Sequence, residues 1–565
     1  MFSTSQTPSL SLSVSMACNI RTIFIASLAS IVFLTSLYHH HHLFHPQPII
    51  SSENLPLHPH IHPNYAIQEH HHHQQQIVPD SIPSVSILLP AWEVLVVVSP
   101  ATPIPPDFIA GPFTCLFPNN VSSPAKPAGF LPAPYRTTFK CDFPTILHRR
   151  LPFPQPILTR SPERSTLPQS PELLRWNFLV YDSVSTENDV ALFVKGLNHR
   201  QGGYRLANEF RCVFGDDDGV NGVKTTVTTS YQEVFRCRIP ETSAFSNSGG
   251  GRIRISLEMS EQKRVVPSLA YYTPARKVVV EQPKSLLCAC TMVYNVAKFL
   301  KEWVVYHSSI GVDRFILYDN ESDDDLQRVV QELVQEGYNV TILFWLWPKT
   351  QEAGFSHSAI YANTSCSWMM YIDVDEFVYS PSWLNSPNPS HQMLKSLLPQ
   401  SPSSKIGQVM ISCYEFGPSN QSSHPLMGVT QGYNCRRRSD NRHKSIVLLD
   451  AVDESLLNVI HHFKLKQGYR EMKMSVEDAV VNHYKFQAWS EFKTKFRRRV
   501  SAYVVDWMQE MNPESKDRTP GLGFVPVEPE GWLEKFCEEY DERLKDLTRR
   551  WFGFESPPAD VGKDE

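Results

Sequence analysis

Apolar positions along this chain follow two rhythms. Between about residue 173 and residue 257, short apolar runs recur at close spacing: 176–181, 190–194, 210–214, 223–228, 233–237 and 252–257. Turn-forming stretches punctuate them, such as Gly202-Gly203, residues 215–219 and Gly249-Gly250-Gly251. That pattern predicts the short strands of a small all-β sandwich over residues 171–283. After Pro283 the rhythm lengthens. Residues 285–293 read as a continuous apolar strand. Residues 296–309 carry helical spacing, with Asn295 available as the N-cap and Gly311 as the stop. A strand over 314–318 ends in Asp319-Asn320, and a helix over 324–335 follows. A strand over 340–345 and a helix over 355–363 come next, and then Trp368-Met369-Met370-Tyr371-Ile372 runs into Asp373-Val374-Asp375-Glu376. Alternating strands and helices predict an α/β domain with a parallel sheet and right-handed crossovers.

The N-terminal third reads differently. Residues 22–38 are uncharged and bordered by Arg21, and residues 39–125 contain no Lys or Arg. A cleaved signal peptide is one reading of the run. We favour an uncleaved signal anchor: a cytosolic tail over 1–18, a single membrane helix over 19–38, and a His/Pro-rich stem over 39–170 on the far side. The tracts 39–42 and 70–73 are all His. They are read as low-complexity stem rather than metal sites. The apolar patch 87–98 is too short to span a membrane and reads as a strand or buried stem. Residues 100–170 are Pro-rich and read as irregular, stapled through Cys115 and Cys141. The tail over 551–565 reads as disordered.

The net charge of −5 gives no reason to expect nucleic acid. The 11 cysteines would lie mostly in an oxidising lumen, where Cys115 with Cys141 and Cys212 with Cys237 are plausible pairs. Cys288 and Cys290, in a buried strand, read as free core thiols. Sequons stand at Asn120, Asn320, Asn339, Asn363 and Asn420, with Asn120 the best glycosylation candidate.

The candidate chemistry sits where predicted strands end. On a strand, Asp373 and Asp375 would share a face and repel each other. A hard cation, Mn²⁺ or Mg²⁺, would relieve that repulsion and leave positions for a diphosphate. Asn295, Asp319 and Asn320 fall at the carboxyl ends of two further strands, where parallel sheets bind ligands. That convergence describes a nucleotide-binding sheet. No Gly-rich phosphate loop of the dinucleotide or P-loop type is present.

Taken in order, Met292-Val293-Tyr294-Asn295, Lys301-Glu302-Trp303, Tyr306-His307, Gly311-Val312, Tyr318-Asp319-Asn320, Asp373-Val374-Asp375-Glu376-Phe377 and Asn482-His483-Tyr484 resemble plant glycosyltransferase family 92, which includes the β-1,4-galactan synthases. The resemblance covers roughly residues 170–550. It implies a GT-A-type nucleotide-sugar-binding domain over 284–550 in the Golgi lumen, type II in the membrane, with a β domain before it that in galactan synthases binds carbohydrate. It also implies inverting transfer from a UDP-sugar, galactose first, to a glycan acceptor with Mn²⁺; a homo-oligomer is possible. Asp375 is then the expected direct metal ligand, and Asp373 acts directly or through ribose or water. His483 is the expected third ligand, with His461 and His462 as competitors. Under the same resemblance Asn295 and Asp319 are placed to bind uracil or ribose. Glu415 is a candidate base, and Glu376 contacts sugar or acceptor. Residues 436–444 are a basic run that could clamp a diphosphate or line an acidic acceptor groove, and 493–499 reads as a solvated face. The rivals are a carbohydrate-binding scaffold without turnover and a metal-dependent hydrolase, for which the sequence lacks a second ligand cluster.

Overall fold

Strands begin earlier than the Pro-rich composition suggests. The structure is a computed structural model that describes residues 81–104, 111–132, 134–149, 151–160, 171–198, 204–215, 222–241, 253–273, 283–401, 404–459, 461–494 and 528–553. The expected tail, anchor, histidine tracts and run 493–499 lie wholly or largely outside those residues. Among the described residues no helix is long and apolar enough to cross a membrane.

Eight strands within 81–175 form one sheet, where an irregular segment was expected over 100–170. The apolar patch 87–98 splits into Ser84–Leu88 and Glu93–Val98, paired antiparallel. The long strand Val121–Leu131 was obscured by its prolines. It accommodates Pro127 with a register shift before Gly129, the kind of irregularity at which proline is tolerated in a sheet, while Pro124 stays in register opposite Thr114. Cys115 and Cys141 are bonded across this sheet.

The next eight strands, within 179–272, form one sheet rather than the two layers of a sandwich. Its ends meet. Val180 exchanges backbone hydrogen bonds with Pro267 and Leu269, and that segment bonds in turn to Leu257 and Ile255. The sheet therefore closes on its own core of Val190, Leu192, Phe235, Ile255 and Leu257. Closure removes open edges, which a sandwich would leave exposed. Cys212 and Cys237 are bonded within it.

The third sheet has nine strands: β1 Ser285–Val293, β2 Arg314–Asp319, β3 Val340–Phe344, β4 Cys366–Tyr371, β5 Glu376–Tyr379, β6 Ile406–Glu415, β7 His443–Leu448, β8 Arg470–Lys473 and β9 Val480–His483. Their order is β3-β2-β1-β4-β7-β6-β9-β5, with β8 also on β6. Strands β1 to β4 are mutually parallel, linked by helices α1 Ala297–Ile310, α2 Leu326–Gln335 and α3 Gln351–Tyr361. The chain steps from β1 outward to β3 and then returns to the other side of β1. That reversal puts a crevice between the carboxyl ends of β1 and β4.

Both faces of this sheet are buried, which is why its strands read as unbroken apolar runs. Ala289, Phe315, Leu317 and Met370 face α1 and α2. Cys288, Ile316, Tyr318 and Met369 face a cluster shared with Ile87 and Leu95 of the first sheet and Tyr181 and Phe193 of the second. Trp347 anchors that junction, stacked on Trp176 and donating from Nε1 to Asp182 Oδ2 at 3.0 Å. Cys288 is not a free thiol but is bonded to Cys366 at the start of β4. The partner lies 78 residues away in sequence and beside β1 only because the strands are parallel. Cys290 remains free and buried. The expected disordered tail begins inside a helix, Arg543–Phe552, whose Trp551 donates to the Ser386 carbonyl at 3.0 Å.

Two histidines are buried as neutral rings. His307 Nδ1 lies 2.9 Å from the Trp303 carbonyl, and His357 Nδ1 lies 3.1 Å from the Tyr318 hydroxyl. Burial pushes both down to about 3. Below the ordinary histidine range the unfolded chain binds protons that the folded chain refuses, so stability is full above that range and falls with pH toward the folded value. In urea titrations from about pH 7 to about pH 4, stability should fall steadily, and His307→Asn should make that fall shallower.

Candidate active site

The crevice begins with two interlocked loops. Asp319 closes β2 with its carboxylate buried. Oδ1 accepts the Ser322 N–H at 2.9 Å and Oδ2 lies 3.5 Å from Gln327 Nε2. Burial raises this carboxyl above its usual range, against the pull of those hydrogen bonds. Asn320 ties neighbouring strands together, its N–H donating to Val293 and its Nδ2 to the Trp345 carbonyl, each at 2.8 Å. Asn295 sits in the left-handed region at φ 51° and does not cap α1. Its carboxamide pairs both ways with Asp323, accepting that residue's N–H at 2.8 Å. Asp324 takes over at the helix start and accepts the Ala297 N–H at 2.8 Å. A capping residue can come from a different loop, and spacing along the chain does not reveal that.

Asp373 and Asp375 are not on a strand. β4 ends at Tyr371, and residues 372–375 turn before β5 begins at Glu376. The Glu376 N–H donates to the Asp373 carbonyl at 3.1 Å, and Glu376 Oε2 accepts the Asp373 N–H at 2.9 Å. This reciprocal clasp sends the two aspartates apart. Asp373 Oδ2 accepts from Lys444 Nζ at 3.0 Å and lies 3.9 Å from His461 Nε2. Asp375 Oδ2 instead lies 3.6 Å from His483 Nε2.

His483 ends β9 and lies between two acids in register, Glu376 on β5 and Glu415 on β6. Its Nδ1 is 3.3 Å from Glu376 Oε1. Glu376 is fully buried. Burial pushes its carboxyl up to about 8; Lys444, 2.7 Å away, pulls the other way, and Asp373 and Asp375 push it up further. Burial would also raise Glu415, but Lys485, then His483 and Arg437, hold it below its usual range. Lys485 is ion-paired to Glu415 Oε1, and Arg437 Nη1 stands 3.5 Å from Oε2.

The structure thus brings Asp373, Asp375, Glu376, Glu415 and His483 to one end of the sheet and separates them into pairs. Of the competing histidines, His461 joins this cluster while His462 turns to Ser445 and packs tilted against the His443 ring. The sequence reading gave Lys444 and Lys485 no individual role, although a lysine opening an apolar strand was visible at Lys444. Arg436 does not clamp a diphosphate. It is buried on Asp541 and Glu539, each at 2.7 Å, beside the Cys435–Cys537 bond.

Among the described residues no three His, Cys, Asp or Glu side chains converge as a ready-made metal site. Asp375 and His483 still fit a divalent ion, because carboxylate and imidazole suit Mn²⁺ and the two atoms stand close enough to share it.

A glycosyltransferase family 92 profile matches residues 284–519. A family 92 protein of Ricinus communis is 44% identical over 389 residues, 66% of this chain and 67% of the relative. One from Oryza sativa subsp. japonica is 37% identical over 462 residues, 78% of this chain and 76% of the relative. This chain belongs to glycosyltransferase family 92. All nine strands of the third sheet, the acid turn and His483 lie inside the matched segment of this glycosyltransferase. Among solved structures, the mannosyltransferase PcManGT of Pyrobaculum calidifontis, in complex with GDP-Man and Mn²⁺, is similar over 23% of this chain and 39% of that one. The identity is 12% and the TM-score 0.18. S. aureus TarS is similar over 38% and 66%, at 11% identity and a TM-score of 0.21.

Removing Arg436 should damage the fold rather than donor binding. Arg436→Met leaves Asp541 with Arg543 alone and takes the partner from Glu539, so the loss of these charged hydrogen bonds should cost about 2 kcal/mol, readable as a shift in the urea unfolding midpoint.

Proposed function

We propose that this family 92 glycosyltransferase moves galactose from UDP-galactose to a hydroxyl of a glycan acceptor, with inversion and with Mn²⁺, on a GT-A-type domain in the Golgi lumen, held as a type II protein by the anchor at 19–38. The observation that carries the reading is the pairing of Asp375, in the turn after β4, with His483 at the end of β9. Asp375 and His483 would hold the ion, and a bound Mn²⁺ supplies Lewis-acid stabilisation to the leaving diphosphate. The loops of Asn295, Asp319 and Asn320 border the space for uridine. Asp319 is the carboxylate there that can accept from the uracil N–H or a ribose hydroxyl.

Glu415 is the better-placed base. Glu376 has both oxygens engaged, by the Asp373 N–H on one side and by Lys444 and His483 on the other, so it holds the turn. Glu415 stands beyond His483 from the acid turn, and Oε2 carries the long contact to part-exposed Arg437. In the reaction Glu415 takes the acceptor hydroxyl proton as that oxygen bonds to the anomeric carbon. The bond to the diphosphate breaks, and its electron pair leaves with UDP.

The test is transfer by the full chain with a panel of UDP-sugars, Mn²⁺ and β-linked galactose oligosaccharides. UDP-galactose should be selected, and Asp375→Asn should lose about 10²-fold or more in kcat/KM. Sugar binding without turnover of any donor would instead favour a carbohydrate-binding scaffold, and UDP release that needs no acceptor would favour a hydrolase.

A further inference from the structure

Lys444 is the buried cation at the centre of the acid turn. It occupies β7 opposite Ile411 of β6, beyond the last residue of β7 that pairs with β4. Its ammonium meets three groups: Asp373 Oδ2 at 3.0 Å, Glu376 Oε1 at 2.7 Å and His461 Nε2 at 2.7 Å. Two of its N–H donors are used on Asp373 Oδ2 and His461 Nε2, and Glu376 Oε1 is held by charge at short range. Accepting at Nε2 leaves His461 in the tautomer protonated at Nδ1. The side chain is 9% exposed, so the charge is little screened by solvent.

We propose that Lys444 is a positioning residue that withholds Asp373 from the metal, so that the protein alone offers Mn²⁺ only Asp375 and His483 and binds it firmly only together with the nucleoside diphosphate. The inference rests on the metal-dependent reading above and deepens it. Two of the three carboxylates in the turn are already matched to a fixed positive charge. A divalent ion entering beside Asp375 meets an ammonium on the Asp373 side, which opposes it until the negative diphosphate arrives. Metal and donor then load together, and the ion leaves readily once UDP departs.

Mn²⁺ binding to the full chain, followed by the loss of the free-ion electron paramagnetic resonance signal with and without UDP, tests this directly. In the wild type, UDP should tighten Mn²⁺ binding at least tenfold. Asp373→Asn should leave Mn²⁺ affinity with UDP within about threefold of wild type, whereas Asp375→Asn should lose roughly ten- to hundredfold. Lys444→Met should bind Mn²⁺ without UDP more tightly than wild type by a similar factor, and adding Asp373→Asn to it should erase the gain. A purely structural lysine would not raise metal affinity when removed. Equal losses in Asp373→Asn and Asp375→Asn, or a Lys444→Met chain that folds and binds Mn²⁺ no better, would overturn the inference alone. If Lys444→Met does not fold, the two aspartate variants decide it. No Mn²⁺ binding to the wild type in the presence of UDP would overturn both this inference and the metal dependence beneath it.

Discussion

Buried negative charge at one end of one sheet is the constraint to which this site answers. Asp373, Asp375, Glu376 and Glu415 are gathered within a few residues of strand termini, and the last three are almost wholly buried. Carboxylates removed from water repel each other and must be protonated, paired or bound to metal. Two lysines, on β7 and just past β9, enter from neighbouring strands to meet that need. Lys444 takes Asp373 and Glu376; Lys485 takes Glu415. Asp375 is left beside His483, a donor that binds a metal when neutral. The division of charge turns four acids into separate parts.

The scaffold explains why these groups stay apart. Parallel strands β1 to β4 carry the loops of Asn295, Asp319 and Asn320, while antiparallel β7 and β5 and the parallel pair β6·β9 carry the cations, His483 and Glu415. The mixed sheet therefore places two chemically different halves on either side of β4. Burial on both faces, with the first two sheets packed into the same apolar cluster, fixes the strand ends from behind. That arrangement makes the N-terminal sheets part of the support for the catalytic one.

Much of this was legible along the chain, and the failures share a cause. The β-α-β alternation after Pro283 is written in local periodicity, so β1, β2 and β3 fall within a residue of their expected bounds. The acids were found because three carboxylates after an apolar run stand out. Their geometry was not legible, since a turn closed by the Glu376 side chain looks in sequence like a strand continuing. Lys444, the Cys288–Cys366 bond and the Asp324 cap all depend on partners brought in by sheet order. The strands of 81–160 were hidden by proline, which reads as irregular until its register shift is seen. The closed sheet of 179–272 was mistaken for a sandwich because short alternating strands look alike in both.

In our proposal, charge division leaves Asp375 and His483 as the protein's metal donors. Anomalous scattering from Mn²⁺ in crystals of the full chain grown with UDP tests it most directly. One Mn²⁺ bonded to Asp375, His483 and the diphosphate is expected, with Lys444 still seated on Asp373 and Glu376. A Mn²⁺ bonded to Asp373, with the Lys444 ammonium displaced from the turn, would contradict it.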